Sequence, residues 1–461
     1  MKKIFLSSMI CLGISMGLST SVSADDLYQV YQMAVEKDPT TNRAKADRDA
    51  AFEGISISRA RLLPQVSGSV SYTDSTSEQF DFQAAPETAP AGTPPFINIV
   101  ESDSKNLGLG LNLSLSIYDR QNWVALSRAE KVAHQSDTNY ALSKQDLIVR
   151  TTDAYLAILR AKDSLIFVQA EKRAIERQLE QTKQRFNVGL TAITDVHEAQ
   201  ANFDNTVAQE IITENVVELR LEQLREITGK YHDKLFVLNT ENFSATRPSP
   251  EGVDNWLKIA EQKNLDLMVR SFSKDIAKDD ISSAKAGHYP TLSLNGSYGR
   301  NDTEINGNSN FPARDNNSIG LNLSIPIYSG GAVSAQTAQA RYRFVAASED
   351  LELAYRSTVR SVRSAYNDVI AATSTIRALQ QAVVSADSAL KATEAGFDVG
   401  TRTIVDVLNS TRNQFDARQR LASARYDFIS AILDLKRASG NLTEQDLVDI
   451  NRGLMPANIS L

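Results

Sequence analysis

Two aspartates stand at the same place in two copies of one short stretch. The stretch runs RFNVGLTAITDV over residues 185–196 and returns as GFDVGTRTIVDV over residues 396–407. Asp195 and Asp406 are 211 residues apart, and the same spacing separates the glycines Gly189 and Gly400. Each glycine interrupts a long helical stretch, and glycine allows a helix to end and the chain to reverse. Each copy therefore predicts a hairpin tip whose aspartate lies in the first turns of the returning helix. A carboxylate there could bind cations, or simply be favourable with the helix dipole.

Other reactive residue types form no catalytic or metal-binding pattern. The histidines at positions 134, 197, 232 and 288 lack the spacing of a metal site. Ser329-Gly330-Gly331 is explained more simply by a turn from strand to helix than by a phosphate-binding loop. The single cysteine, Cys11, lies within a predicted export signal, so the exported chain would have no disulfide and no thiolate ligand. We therefore expect no enzyme activity, no cofactor and no metal.

The first residues have the pattern of an export signal. Lys2 and Lys3 precede a short apolar segment, and Val22-Ser23-Ala24 fits a cleavage site. Residues 1–24 are therefore predicted to be a signal peptide. The whole chain has a formal net charge of −7, which argues against nucleic acid as a partner. After the signal, no apolar run reaches the ~20 residues of a membrane helix. An exported chain of this kind is predicted to be either soluble or a β-barrel.

The rest of the chain is a tandem repeat. The sequence LNLS occurs at residues 111–114 and again at residues 321–324, while Pro64 matches Pro290 at a larger spacing. The difference indicates one long insertion in the first copy. Repeats of this length are duplicated domains. The predicted domains are the first repeat at 25–229, a linker at 230–252, the second repeat at 253–440 and a C-terminal tail at 441–461; the linker and tail are expected to form a belt around the helices.

Each repeat is predicted to contain two short helices, two strands around a polar loop, and a long helical hairpin. The predicted helices are 27–37, 40–62, 121–188, 192–228, 253–263, 266–288, 332–395 and 401–439. The predicted strands are 66–72, 107–117, 292–298 and 319–327, with loops at 74–103 and 301–317. Strict alternation in 107–117 predicts one apolar and one polar face. This fits a half-buried soluble hairpin, but the length and the tyrosines near the strand ends favour outer-membrane strands. Pro326 predicts a bend where its strand ends.

The long helices predict coiled coils. Residues 121–188 and 332–395 contain neither glycine nor proline. At 1.5 Å per residue each reaches ~100 Å, longer than ordinary globular helices. The apolar residues Ile148, Tyr155, Leu159 and Ile166 suggest a heptad-like seam. Each repeat thus pairs one long helix with two shorter helices end to end.

Four strands cannot close a barrel in lipid, because open edges leave backbone groups unpaired at several kcal/mol each. Small closed barrels begin at about eight strands. Two chains would supply eight strands and three would supply twelve. The residues alone leave both possibilities open.

The two tip stretches resemble the periplasmic tips of the TolC family of outer-membrane efflux and secretion proteins, and the resemblance covers nearly the whole chain after the signal. It implies a mainly α fold with membrane β-structure. Long antiparallel coiled-coil helices would form a periplasmic α-barrel, and four strands per chain would contribute to a shared twelve-stranded barrel in a homotrimer. The implied function is an exit duct for drug efflux and type I protein secretion in the outer membrane, extending into the periplasm. The implied partners are outer-membrane lipid, a periplasmic adaptor protein, and an inner-membrane transporter of the RND or ABC class.

The resemblance also implies roles for residues at the tips. Asp406 and Asn409 match an axial ring at the periplasmic entrance, where the family often has two carboxylates. The implied gate links are Thr194, Asp195, Phe397 and Arg402; Phe397 stands where a tyrosine is often found, so its link lacks a hydroxyl. The implied adaptor-docking residues are Val188, Gly189 and Leu190 at the first tip, and Val399, Gly400 and Thr401 at the second.

An exported coiled-coil surface protein without a pore, such as an adhesin, is the competing class. It accounts for the long helices and the polar loops. It does not account for strand pairs that occur twice, each between short and long helices.

Overall fold

The structure is a computed structural model that describes residues 24–83, 88, 90, 96–306 and 312–456. The predicted signal peptide lies outside the described residues except for Ala24. Parts of the two predicted strand loops and the last five residues of the predicted C-terminal tail also lie outside them.

The described chain is mainly helical, with one large sheet. The elements in order are α1 (Leu27–Lys37), α2 (Pro39–Ala60), β1 (Gln65–Gln83), β2 (Phe96–Tyr118), α3 (Arg120–Asn187), α4 (Ile193–Thr228), β3 (Val237–Leu238), α5 (Val253–Lys263), α6 (Leu265–Ala286), β4 (Thr291–Ile305), β5 (Arg314–Ser324), α7 (Ala332–Asp398), α8 (Ile404–Ala438), α9 (Glu444–Asn451) and β6 (Leu454–Met455). The fold class predicted from the sequence is confirmed in its helices and its four long strands.

The four long strands form one antiparallel sheet in the order β1-β2-β4-β5. Leu111 of β2 lies opposite Gly68 on one side and Tyr298 on the other, which fixes the register of the centre. The register shifts between Ser116 and Tyr118, at a bulge. Because a bulge changes which face the next side chain takes, Tyr118 comes to lie opposite Leu292, on the same face as the leucines.

The predicted strand bounds were wrong at several ends. The loops predicted at 74–103 and 301–317 are largely strand, because β1 and β2 pair from Gln65↔Ser114 out to Gln83↔Phe96. Polar alternation continues the ladder there, which a search for apolar residues does not detect. In contrast, β5 ends at Ser324 instead of residue 327. Pro326 has no N–H for the ladder, so the predicted bend is confirmed and begins earlier.

The chain divides into two compact units. The first comprises the described part of Met1–Pro39 together with Lys144–Trp256 and Val362–Leu461. Its core includes Leu27, Tyr155, Leu159 and Leu433, all nearly inaccessible to solvent. Of the predicted seam, Ile166 is wrong: it is 58% exposed, and Val168 is buried instead.

The second unit comprises Thr40–Ser143 and Leu257–Ser361, and it contains the four-stranded sheet. Ion pairs join its helices, such as Lys131 to Asp279 at 2.7 Å. No helix within the described residues is long and apolar enough to cross a membrane.

Candidate functional site

Both predicted hairpin tips are present, and both turn in the same way. Gly189 and Gly400 adopt φ of 76° and 78°, which L residues with a side chain rarely adopt. The N–H of Leu190 donates to the carbonyl of Arg185 at 2.8 Å, and that of Thr401 donates to Gly396 at 2.8 Å. These bonds satisfy carbonyls at the ends of α3 and α7 in a Schellman-type cap. The sequence prediction of a helix–turn–helix tip is therefore confirmed twice.

The tips are apolar and exposed. Val188 and Leu190 are each 70% exposed, and Val399 is 75% exposed. A Cβ added at Gly189 or Gly400 would meet no atom within 4 Å. Within this chain, the positive φ therefore explains both glycines, and crowding does not.

Asp406 is part of the cap of α8. Thr403 is the N-cap, and its hydroxyl accepts the N–H of Asp406 at 3.3 Å. The Asp406 carboxylate accepts the backbone N–H and the hydroxyl of Thr403 in return. The backbone bond first, and the hydroxyl bond next, hold the pKa of the Asp406 carboxyl below its usual range, with Arg402 adding to the effect. Asp406 is thus charged and half-exposed at a helix N-terminus.

Asp195 is the repeat equivalent of Asp406, but a different partner holds it. The N-cap of α4 is Ala192, which has no hydroxyl for a side-chain cap. The Asp195 carboxylate instead accepts a hydrogen bond from the Thr191 hydroxyl. Thr194 is exposed beside it.

The other predicted site residues fall into two groups. Asn409 is exposed three residues after Asp406, so the two share a face of α8. Arg402 makes no ion pair with Asp195 within 4.0 Å in the part of the chain that the structure describes. Its side-chain stem lies against Gly396 instead, since a Cβ added there would approach the Cγ of Arg402 to 2.8 Å. This chain by itself therefore does not bring the proposed charged link together.

An apolar cluster joins the two hairpins just behind the tips. It is formed by Ile175, Leu179, Ala199, Ile404, Val407 and Leu408, with Phe203 and Phe397 packed against it. The cluster contains residues of α3, α4 and α8. It fixes the start of α8, and therefore Asp406, against the first hairpin.

Arg185 is a tip residue that the sequence did not single out. Its guanidinium carbon lies 4.5 Å from the centroid of the Phe397 ring. The contact joins the last turn of α3 to the last turn of α7. Its only sequence signal is an arginine and a phenylalanine in the last turns of two equivalent helices, and that pattern alone does not pair them.

One face of the sheet is an apolar band. Cross-strand partners share a face, and the register places the band's members together: Val66, Gly68, Val70 and Tyr72; Leu107, Leu109, Leu111, Leu113 and Leu115; Leu292, Leu294, Gly296 and Tyr298; and Ile319, Leu321 and Leu323. Val70 and Ile319 are 75% and 78% exposed, so nothing in this chain covers the band there. Beyond it, the same face becomes charged in the row Asp74, Lys105 and Glu304.

The opposite face of the same strands is polar and, beside the band, uncharged. From Gln65 to Ser75 its residues on β1 are glutamine, serine and threonine, and Ser104 to Ser116 on β2 adds asparagine and glycine. A Cβ at Gly110 would lie 2.7 Å from the hydroxyl oxygen of Ser69. Ser297 and Ser318 bond across β4 and β5 at 2.8 Å. Small side chains therefore pack closely across this face.

The chain is similar to known proteins along nearly its whole length. The family model described as outer membrane efflux protein matches residues 30–230 and 256–441. The outer membrane protein TolC of Vibrio cholerae is 47% identical, over 95% of this chain and 96% of the relative. TolC of Escherichia coli is 44% identical, over 96% of this chain and 88% of the relative.

A more distant relative and a solved structure agree with this. The proteases secretion protein PrtF of Dickeya chrysanthemi is 27% identical, over 93% of this chain and 91% of the relative. The fold is that of the Campylobacter jejuni CmeC outer membrane channel, which aligns with a TM-score of 0.74 at 16% identity over 98% of both chains.

Proposed function

The chain belongs to the outer membrane efflux protein family, and from this premise we propose that three copies close their sheets into one twelve-stranded barrel. The protein is an outer-membrane exit duct. Its relatives and structural neighbours are channel proteins, and we extend this to the proposal that the chain is not an enzyme and needs no cofactor. The long hairpins would continue the duct into the periplasm.

The apolar band is the observation that carries this proposal. From Leu107 to Leu115 the band spans eight residue steps, or ~27 Å of strand, close to the ~25 Å height of the apolar band on outer-membrane barrels. All four strands contribute to it in register. The change to Asp74, Lys105 and Glu304 at one end marks where the lipid would stop. Lipid is therefore the partner that fits this face.

The edges of the sheet support closure by further copies. In the described chain, β1 pairs only with β2, and β5 pairs only with β4. Edges left open in lipid would cost several kcal/mol for each unpaired backbone group. Pairing β5 of one copy with β1 of the next satisfies both edges, and three copies close at twelve strands.

The apolar tips support a docking role. Val188, Leu190 and Val399 are exposed at the ends of the hairpins. We propose that both tips, each with its glycine, contact a periplasmic adaptor, and that the adaptor joins the duct to an inner-membrane transporter of the RND or ABC class. Export of proteins as well as drugs is proposed because a protease secretion protein is among the relatives.

The carboxylates support a gate at the same end. Under threefold symmetry, Asp406 and Asn409 would form an axial ring with three negative charges. Thr194, Asp195, Phe397 and Arg402 would link neighbouring hairpins in the closed state. The charged pair of Arg402 and Asp195 would then form between copies, since this chain alone does not pair them.

Mass measurement and planar-bilayer recording of the detergent-purified protein test the proposal together. The expected result is a trimer that forms discrete channels. A monomer that keeps the β-signal in circular dichroism would contradict the shared barrel. A trimer without conductance in any tip variant would favour the adhesin-like alternative.

A further inference from the structure

We propose that Arg185 is a gate-positioning residue, which latches the second hairpin to the first by holding its guanidinium against the ring of Phe397. The inference rests on the proposed gated duct and adds a contact to it. The guanidinium carbon lies 4.5 Å from the ring centroid, within the ~6 Å range of a cation–π contact.

The surroundings of Phe397 fix its ring for this contact. The ring packs against the apolar cluster of Ile175, Leu179 and Val407, which joins both hairpins. Its backbone is held as well, because its carbonyl accepts the N–H of Gly400 at 3.1 Å in the tip turn. Arg185 is held in the same way, since its carbonyl accepts the N–H of Leu190. The two side chains therefore meet from positions that both turns fix.

The charge of Arg185 has no competing partner in the described chain. No carboxylate there lies within 4.0 Å of it, whereas Arg418, further along the second hairpin, pairs with Asp387 at 3.0 Å. The next polar contact between the hairpins is Arg412 to Asn202 at 2.7 Å, more than two helical turns behind the tips. The latch is thus the polar contact between hairpins that lies nearest the entrance.

The contact also accounts for a phenylalanine at a gate position. A phenylalanine cannot donate a hydrogen bond to a neighbouring carboxylate. Its ring face can attract a cation. The position then works without a hydroxyl, and the arginine stays charged throughout the range from pH 5 to pH 8. The latch should therefore be independent of pH in that range.

The test compares four single variants and one double variant as trimers in planar bilayers. Arg185→Met and Phe397→Leu each remove the contact and keep an apolar side chain. Phe397→Tyr keeps the ring face. Lys183→Met is the matched control, because it removes a positive charge two residues away that makes no ring contact among the described residues.

Arg185→Met and Phe397→Leu should each raise the open-to-closed ratio by about 2- to 30-fold, the range expected from loss of a cation–π contact. The double variant should be no more open than either single variant, since both remove the same contact. Phe397→Tyr and Lys183→Met should stay near wild type. An unchanged Arg185→Met variant, an equal effect of Lys183→Met, or multiplying effects in the double variant would overturn the latch.

A second measurement separates the latch from the duct. Amide hydrogen exchange at residues 404–408 should be faster in Arg185→Met than in Lys183→Met, whether or not the protein conducts. If the wild-type protein forms no channel, the proposed function fails, and the exchange rates still decide the latch. Equal exchange in the two variants would overturn it.

Discussion

The Asp406 carboxylate accepts two hydrogen bonds from Thr403, from the backbone N–H and from the hydroxyl, each at 2.9 Å. Oδ2 accepts both, and Oδ1 accepts none from the described residues. Asp406 therefore caps a helix with one oxygen and can meet a cation with the other. The proposed ring and the local fold depend on the same side chain, and experiments must separate them.

Asp406→Asn and Thr403→Val separate charge from capping. Asparagine keeps an oxygen that can accept the Thr403 bonds, while valine removes the hydroxyl and leaves the ring charge. We expect Asp406→Asn to lose most cation selectivity and most block by a trivalent cation added from the periplasmic side. Thr403→Val should keep both and lose about 0.5–2 kcal/mol of stability, the usual range for a lost N-cap. The measurements are bilayer recording and thermal unfolding. Unchanged selectivity in Asp406→Asn would leave Asp406 with its capping role alone.

The same carboxylate predicts a direction for pH dependence. Its pKa in the folded protein is lowered, mainly by the Thr403 backbone hydrogen bond. A lowered folded pKa stabilises the fold above the unfolded pKa of about 3.9, and the contribution is lost as the pH falls through the folded pKa. We expect exchange of the first-turn amides of α8 to show added opening of the tip in wild type below about pH 4, and a smaller pH effect in Asp406→Asn. Equal pH profiles would contradict the assignment.

Asn409→Asp should strengthen the ring. Residues 406 and 409 share a face of α8, so a second carboxylate would double the charge at the proposed constriction from three to six. Carboxylate rings favour cations in a narrow throat. We expect tighter block by a trivalent cation and higher cation selectivity, measured in the same bilayer experiment. Asn409→Gln, which adds bulk without charge, is the control and should leave block near the wild-type level.

Arg402→Ser should raise conductance from the resting state. Arg402 has no ion pair with Asp195 in the described chain, so the proposed pair requires a neighbouring copy. Exposed pairs contribute only ~0–1 kcal/mol each, but three act on one gate, and a few kcal/mol shifts an open–closed equilibrium. Asp195→Asn should give a similar increase. If neither variant differs from wild type, other contacts hold the entrance closed.

Substitutions at Gly189 and Gly400 distinguish turn geometry from docking. Asparagine tolerates a positive φ better than most residues, and the open space around both glycines leaves room for it. If the glycines only make the turn, Gly189→Asn and Gly400→Asn should export normally, and arginine should be tolerated apart from strain. We expect both asparagine variants to export less and both arginine variants to lose export while trimers still reach the outer membrane. Normal drug resistance in all four would rule out docking through these positions.

The sequence predicted the elements whose ends have local causes. α1 and α5 begin and end at the predicted residues. At α1, Asp26 accepts the N–H of Gln29 in a capping box, and such a pattern is visible in a sequence. The tips were predicted for the same reason, because a glycine at C′ has a local conformational cause. The α9 helix and the β3–β6 pair were missed, since two-residue strands and an eight-residue helix depend on tertiary packing.

Within the site, the positions could be predicted but their partners could not. The repeat pairs Asp195 with Asp406 by spacing alone, yet the first accepts from Thr191 and the second from Thr403. The difference arises because Ala192 stands where the second repeat has Thr403, and one hydroxyl decides which bond forms. Arg185 was missed because its partner lies in the other repeat, more than 200 residues away, and no local pattern links them.

The uncharged polar face of the sheet has an electrical consequence. Under the proposed closure, the strands enclose a column of water whose walls carry serine, threonine, asparagine and glycine, with no fixed charge beside the apolar band. That column and the hairpin entrance are resistances in series, and the wider, neutral one contributes little. Most of an applied voltage would therefore fall across the tips. A current trace from this protein would then report the state of its helical entrance, and substitutions among the inward serines would be nearly silent in it.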